Sequence, residues 1–538
     1  MKNNIPSVTI HKHTLAIFLV FIVGTFLRVY NLNWDMGQYL HPDERLYINA
    51  ANLFFPHSIQ EFLSPTSPLN PHMFYYGSFP LYLYKFVATF LIKSLDILLV
   101  SRMISAFFSS LTIVILYLAT KEFFSEKVAI ISSLIFAVTP GSIQYAHFNT
   151  TESLLIFIMT TLLYLSSKFY RQNFRYYSVL LGILLGLAYA TKIVGLTFGL
   201  FPLIAYVLLF LENKKDRLKI TISFAIFLFT ALLVGVAMAP YQLIDWSNFS
   251  KEQSYMQAVT YGKFKPPFVI IYEGTKPYIY PLLNILPFTF GFVSLCCSLL
   301  GILLLKKHLK KHLLLFVVIF PLCYFLWAGA WYAKFSRYYL LLVPFLCMYA
   351  ALFISRLRLY ISSVLLFLIV LQGLLFFRVY LEPNTRIAAT NWIYQNLPSH
   401  STIATEHWDD GLPLQLSIPQ LNKSFINEQL TVYDEDTLPK IKKLSESLAK
   451  SDYVILSSRR VYISILNNPI TYPRTTKFYK ELFAGKLGFS QIKEFTNYPY
   501  GISDNAADES FQSYDHPPVV IFKNMNRKNA QQLQDQLL

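Results

Sequence analysis

Charge is scarce in this chain of 538 residues: Asp, Glu, Lys and Arg together make up 14%, against 54% hydrophobic residues. That shortage excludes an ordinary soluble protein and points to an integral membrane chain. Acids are rarer than bases, 30 against 46, which leaves a net charge of +16. The bases sit in short clusters between apolar runs, not along one amphipathic face, so they read as topology signals and no nucleic-acid partner is expected. Cysteine is rarer still. Cys296, Cys297, Cys323 and Cys347 all fall inside apolar runs, which argues against a disulfide framework and for core thiols. Motifs of several other chemistries are missing: there is no Gly-rich phosphate loop, H-E-x-x-H, paired C-x-x-C or G-x-S-x-G. His407 and Asp409, in the run Glu406-His407-Trp408-Asp409-Asp410, read as part of a surface loop. No metal site is predicted and no particular cofactor is implied, and use of a divalent cation stays open. Internal repeats of the solenoid or transporter kind are also absent.

Long apolar runs are what the chain does have. A helix needs about 20 mostly apolar residues to cross the hydrocarbon core, and that test finds about eleven spans. They cover 14–30, 103–120, 128–146, 153–168, 177–193, 195–211, 220–240, 281–305, 313–331, 338–355 and 360–380. The first follows Lys2 and His11 but ends at Arg28-Val29-Tyr30-Asn31 with no small-x-small cleavage pattern, so it reads as a retained helix. A cytoplasmic N-terminus puts Lys121/Lys127, Lys168/Arg171/Arg175, Lys214/Lys215/Arg217/Lys219, Lys306/Lys307/Lys310/Lys311 and Arg356/Arg358 on the cytoplasmic side, as the positive-inside bias requires. Counting 77–95 as a further span would export all of those clusters. That stretch is therefore expected to lie along the outer interface, within a first outer loop of about 31–100.

An odd number of spans places the tail outside. The expected architecture is a polytopic α-helical membrane domain, 1–381, followed by a soluble extracytoplasmic α/β domain, 382–538. Within the tail, 384–396 and 477–483 read as helices and 453–456 and 519–522 as strands. The polar end, 524–538, is expected to fray. The expected location is the cell membrane.

The same topology gathers several polar residues on the outer face. Asp43 and Glu44, in His41-Pro42-Asp43-Glu44, form an adjacent acidic pair beyond the first span. The pair reads as a helix start, with Asp43 as N-cap, or as a general base with its partner; the two are compatible. Glu152, after Asn149-Thr150-Thr151, is a first-turn acid or a second catalytic acid. Lys192, at the end of Gly186-Leu187-Ala188-Tyr189-Ala190-Thr191-Lys192, either snorkels to the headgroups or binds a lipid phosphate. Lys334 and Arg337 lie among Trp331, Tyr332, Phe335, Tyr338 and Tyr339, an interfacial belt or a second cationic site. His41, His147, Tyr82 and Tyr338 are candidates for contact with a polar substrate.

An Asp-Glu pair in the first outer loop, an acid opening the fourth span, a Gly-Leu-Ala-x-x-Thr-Lys helix end and a basic-aromatic turn before a late span, followed by an outer soluble domain, resemble the membrane-embedded GT-C glycosyltransferases. The likeness is to family 39, the protein O-mannosyltransferases and the aminoarabinose transferases. The resemblance implies a GT-C fold and a polyprenyl-phosphate sugar as donor. It further implies inverting transfer to an extracytoplasmic protein hydroxyl, lipid or cell-wall glycan. It makes Asp43 the base or an acceptor-orienting acid, Glu44 its partner, Glu152 the second acid, and Lys192 and Arg337 ligands of the donor phosphate, with Lys334, from the same cationic turn as Arg337, a further candidate for that phosphate. Two positions depart from the family pattern. The second acid is Glu where Asp is common, and Ser78-Phe79-Pro80-Leu81-Tyr82-Leu83-Tyr84-Lys85 lacks the leading lysine of the aminoarabinose transferases, which counts against lipid A as acceptor. The rival of another class is a transporter or flippase of lipid-linked glycan, disfavoured by the absence of inverted repeats.

Overall fold

The computed structural model describes residues 12–93, 95–172, 176–416 and 423–538; Lys2, His11 and Arg175, used above as topology signals, lie outside them. The chain is a polytopic helical membrane protein with a small C-terminal sheet domain. Among the described residues, eight helices are long and apolar enough to span a bilayer. Three of the eleven expected spans are not among these eight. His13–Val29 and Tyr176–Thr191 are shorter apolar helices as far as the described residues run, with 17 and 16 residues. The third, expected over 128–146, is cut by Pro140 into Glu126–Val138 and the short Pro140–Gln144, because proline breaks the ladder and disfavours a helical residue before it. The buried Arg28 compensates: its guanidinium donates to Ala137 O at 2.7 Å and Phe136 O at 3.0 Å, carbonyls at that broken end. Residues 79–91 form an eight-residue helix and a five-residue π turn, about 20 Å of helix, too short to cross.

Small residues set the closest helix approach. A Cβ on Gly182 or Gly186 would sit 2.7 Å from Phe227 O or Ala231 O, so Tyr176–Thr191 lies hard against Arg217–Met238. Of the four cysteines, all free, Cys297 and Cys347 are buried as expected but Cys296 and Cys323 are exposed. On helices that face lipid, an apolar run says nothing of which side a thiol points to.

The C-terminal domain is a five-stranded sheet in the order β2-β1-β3-β5-β4, with β1 Thr402–Glu406, β2 Ile426–Leu430, β3 Tyr453–Leu456, β4 Phe489–Phe495 and β5 Val519–Asn524. β2, β1 and β3 run parallel; β5 and β4 are antiparallel to their neighbours. Alternate residues of the central strands serve two cores. Ile455, Val519 and Ile521 join the core that runs through the membrane helices, whereas Val454, Leu456, Val520 and Phe522 face a second core within the domain. The expected elements at 384–396, 453–456, 477–483 and 519–522 are present, the third as part of Pro473–Phe483. The terminus differs from expectation. Residues Ala530–Leu537 form a helix opened by an Asn529–Gln532 capping box, and burial of Leu533 and Leu537 holds it in place.

Candidate active site

The first loop is fixed to the bundle by one arginine. Arg102, fully buried in helix Ile97–Phe123, forks onto Asp35 through bonds of 2.9 and 2.8 Å and onto Glu44 through bonds of 2.9 and 2.6 Å. Glu44 Oε1 also accepts the Asn149 N–H at 2.7 Å, which ties the loop to the turn that precedes Glu152. Glu44, expected as the catalytic partner of Asp43, is therefore turned into the bundle, with its oxygens occupied by Arg102 and a backbone amide.

Asp43 points elsewhere. The helix Pro42–Tyr47 is capped by His41, whose Nδ1 accepts the Asp43 N–H, so the expectation that Asp43 is the N-cap does not hold. Its carboxylate accepts the Tyr76 hydroxyl at 2.7 Å and pairs with the Arg337 guanidinium. Burial alone would raise the Asp43 carboxyl; Arg337, the Tyr76 hydrogen bond and Lys192 outweigh it and hold the group at about 2.

A second pair lies beside the first. Lys192 leaves the helical line with an extended backbone at φ −166° and ψ 140°, and its Nζ donates to Glu152 Oε1 at 3.1 Å. The ammonium lies 5.1 Å from the Tyr76 ring centroid and 5.8 Å from that of Tyr338, within cation–π range. Arg337 lies 5.7 Å from the Tyr338 ring. Tyr76 and Tyr338 thus sit between the two ion pairs. Gly77 makes this possible: its N–H donates to Thr191 O at 2.9 Å, and a Cβ there would lie 1.8 Å from Ala190 O. Glu152 Oε2, Arg337 Nε, His41 Nε2 and Asn149 Oδ1 are buried without hydrogen-bond partners. Buried polar atoms in that state are rare and call for a partner such as water or an ion, or for a catalytic role.

Asp43, Glu152, Lys192 and the adjacent Arg337 and Tyr338 are therefore brought together from four parts of the chain, with His41 directly behind Asp43. The remaining candidates are not. His147 bonds Ile143 O and Tyr30 O at 2.8 Å each and stacks on Tyr380, which makes it a strut within the core. Tyr82 donates to Leu69 O. Lys334 turns to Thr275 Oγ1 and Tyr332 O, at 2.9 and 3.0 Å, because the helix that carries Arg337 begins only at Ser336. Burial lowers its ammonium to about 8. Sequence reasoning missed Asp35, Tyr76 and Arg102. Only Arg102, an arginine inside an apolar run, carried a signal. Among the described residues no three His, Cys, Asp or Glu side chains are grouped to hold a metal.

Residues 81–241 match the family model described as dolichyl-phosphate-mannose-protein mannosyltransferase, a stretch that holds Glu152 and Lys192. Over 92% of this chain and 76% of the other, the structure resembles the apo oligosaccharyltransferase of Archaeoglobus fulgidus, at 14% identity and TM-score 0.50. The chain has the GT-C fold. Two further structures match at lower TM-scores. ArnT from Cupriavidus metallidurans bound to undecaprenyl phosphate matches at 13% identity and TM-score 0.48, over 96% of this chain and 98% of that one. The S. cerevisiae Pmt1-Pmt2 complex bound to its sugar donor matches at 18% identity and TM-score 0.34, over 51% and 38%. No curated protein sequence matches the chain.

Proposed function

We propose that this GT-C chain is an inverting glycosyltransferase that moves a sugar from a polyprenyl-phosphate donor to an acceptor on the extracytoplasmic side. The observation that carries the reading is the paired arrangement of Asp43–Arg337 and Glu152–Lys192 around Tyr76 and Tyr338. The family model over 81–241 supports a lipid-phosphate donor, and the basic clusters support an outer position for the site.

The chemistry needs one base and a cationic cradle. An acceptor hydroxyl attacks the anomeric carbon, Asp43 takes its proton, and the sugar–phosphate C–O bond breaks. The departing lipid phosphate is a stable anion that needs positive charge, supplied here by Lys192 and Arg337. A carboxyl held at about 2 by Arg337 is a weak base. When a donor phosphate draws Arg337 to itself, that restraint weakens and burial raises the carboxyl toward a more basic value. Donor binding thus arms the base. Lys192 is released from Glu152 in the same way, and Glu152 is left to hold the acceptor or sugar hydroxyls.

The test is transfer by purified chain in lipid vesicles, supplied with radiolabelled polyprenyl-phosphate hexoses and pentoses and with envelope fractions as acceptors. Label moved into an acceptor with release of polyprenyl phosphate supports the reading. Donor that crosses the bilayer intact, or is never consumed, contradicts it.

A further inference from the structure

A cavity of about 310 Å³ opens between the first loop and the C-terminal domain, and Leu40 and Pro42, just before Asp43, form part of its wall. The site described above does not use it. It falls at the small end of the range for ligand pockets, roughly 300–1,000 Å³. Tyr514, on another wall, packs on the His41 ring at 4.2 Å and feels the charges of Arg337 and Asp43, so the cavity and the carboxylate are neighbours.

Its lining has two kinds of surface. The first is aromatic: Tyr433, Tyr514 and Trp408. The Trp408 side chain is exposed, on a backbone with φ +81°, a left-handed conformation that a bulky residue rarely takes and that often marks a functional position. The second is a set of guanidinium–carboxylate pairs. Arg386 donates to Asp409 at 3.0 Å, and its Nη1, 3.5 Å from Asp410, is buried with no hydrogen-bond partner. Arg45 pairs with Asp410 across the two domains, and Arg460 lies 3.4 Å from Glu509. Counting Glu509, which stands behind Arg460 and outside the lining itself, each charge is matched by an opposite one. An anion would find no surplus positive charge, and an apolar ligand would strand the polar forks. Flat rings beside fixed donors and acceptors with no net charge suit a pyranose, whose C–H faces pack on aromatics and whose hydroxyls both give and accept hydrogen bonds.

We propose that this cavity is the subsite for a neutral glycan acceptor. The inference rests on the reading of Asp43 as the base. A sugar seated against Trp408 and Arg386 directs one hydroxyl past Pro42 to Asp43. The hydroxyl oxygen bonds to the donor's anomeric carbon as its proton passes to Asp43. The bond from that carbon to the lipid phosphate breaks, and the polyprenyl phosphate leaves with the electron pair.

The test uses the full chain in lipid nanodiscs, applied to a printed array of neutral, amino and acidic oligosaccharides together with Ser/Thr-rich peptides. The expected result is retention on neutral oligosaccharides, reduced about tenfold or more in Trp408→Ala, whose exposed side chain can be removed without loss of fold. Arg386→Lys, which keeps the charge and loses the fork, should weaken retention as well. Retention on peptides instead, no retention on any oligosaccharide, or retention unchanged in Trp408→Ala overturns the proposal. Donor consumption by the parent chain is measured in parallel. Consumption with a blank glycan array rejects the acceptor subsite and leaves the glycosyltransferase reading intact; glycan retention without consumption rejects the glycosyltransferase reading, and with it the role of this glycan-binding cavity as an acceptor subsite.

Discussion

Asp43 and Arg337, 294 residues apart in the chain, close on each other in one ion pair at the mouth of the helical bundle. The pair is partly open, with side chains 16% and 13% exposed. It therefore has access to ligand, whereas the neighbouring Arg102–Asp35–Glu44 group, at 1% or less, has none. The adjacent carboxylates Asp43 and Glu44 thus face different partners, Asp43 in the open pair and Glu44 in the buried one.

Lys192 in the cradle implies that Lys192→Ala weakens donor affinity by about tenfold or more, near 1.4 kcal/mol. Because the substitution also strands buried Glu152, the double variant Lys192→Met/Glu152→Gln serves as the control for folding. Donor affinity in vesicles is the readout, and unchanged affinity in Lys192→Ala removes it from the site.

Glu44 as an anchor implies loss of stability without loss of chemistry. In Glu44→Gln the thermal midpoint should fall while turnover per folded molecule stays within about threefold of the parent. Arg102→Ala, which leaves two carboxylates buried without their cation, should cost about 3–5 kcal/mol. Specific activity of the monodisperse fraction separates the two effects, and a collapse of turnover in Glu44→Gln would return Glu44 to the chemistry.

Gly77 sets the distance between Tyr76 and Lys192. Gly77→Ala forces a Cβ into Ala190 O, so the strand of loop that carries Tyr76 must withdraw. A cost of about 1–3 kcal/mol is expected, together with a fall in transfer greater than Tyr76→Phe produces. Activity equal to the parent would show that this close approach is not needed.

His516 gives the domain junction a pH dependence. It is fully buried between Asp504 and Asp515. Burial alone would lower its pKa, but those two carboxylates raise it to about 9. With a folded value above the unfolded one of about 6.5, the stabilisation is full below pH 6.5 and is lost as pH rises through 9. The size is up to about 3 kcal/mol. Thermal melting of the parent between pH 6 and 10 should show this decline, about those values, and His516→Gln should flatten it. A parent curve equally flat would contradict the assignment.

Much of the site was legible because membrane topology is a strong constraint. Helix length and the side chosen by lysine and arginine were enough to bring Asp43, Glu152, Lys192 and Arg337 to one end of the bundle. What topology cannot resolve is rotation about a helix. Asp43 and Glu44 differ by about 100° around a short helix, and that angle alone sends one to the cleft and the other to Arg102. Lys334 and Arg337 differ for a similar reason, with a helix start between them. Tyr76 left no trace, since it lies in a loop with no periodicity and owes its place to Gly77. In the tail, β3 and β5 were readable as continuous apolar runs because both of their faces are covered. The edge strands β2 and β4 are mostly exposed and carry no such run.

The central claim is that Asp43 is a base restrained by Arg337 until donor phosphate arrives, and Asp43→Asn examines it most directly. With its partner neutral, Arg337 is free for the phosphate. The variant in lipid vesicles should therefore bind polyprenyl-phosphate sugar as tightly as the parent or more so, while transfer falls by about a hundredfold or more. Transfer near the parental rate, with donor binding intact, would contradict the account.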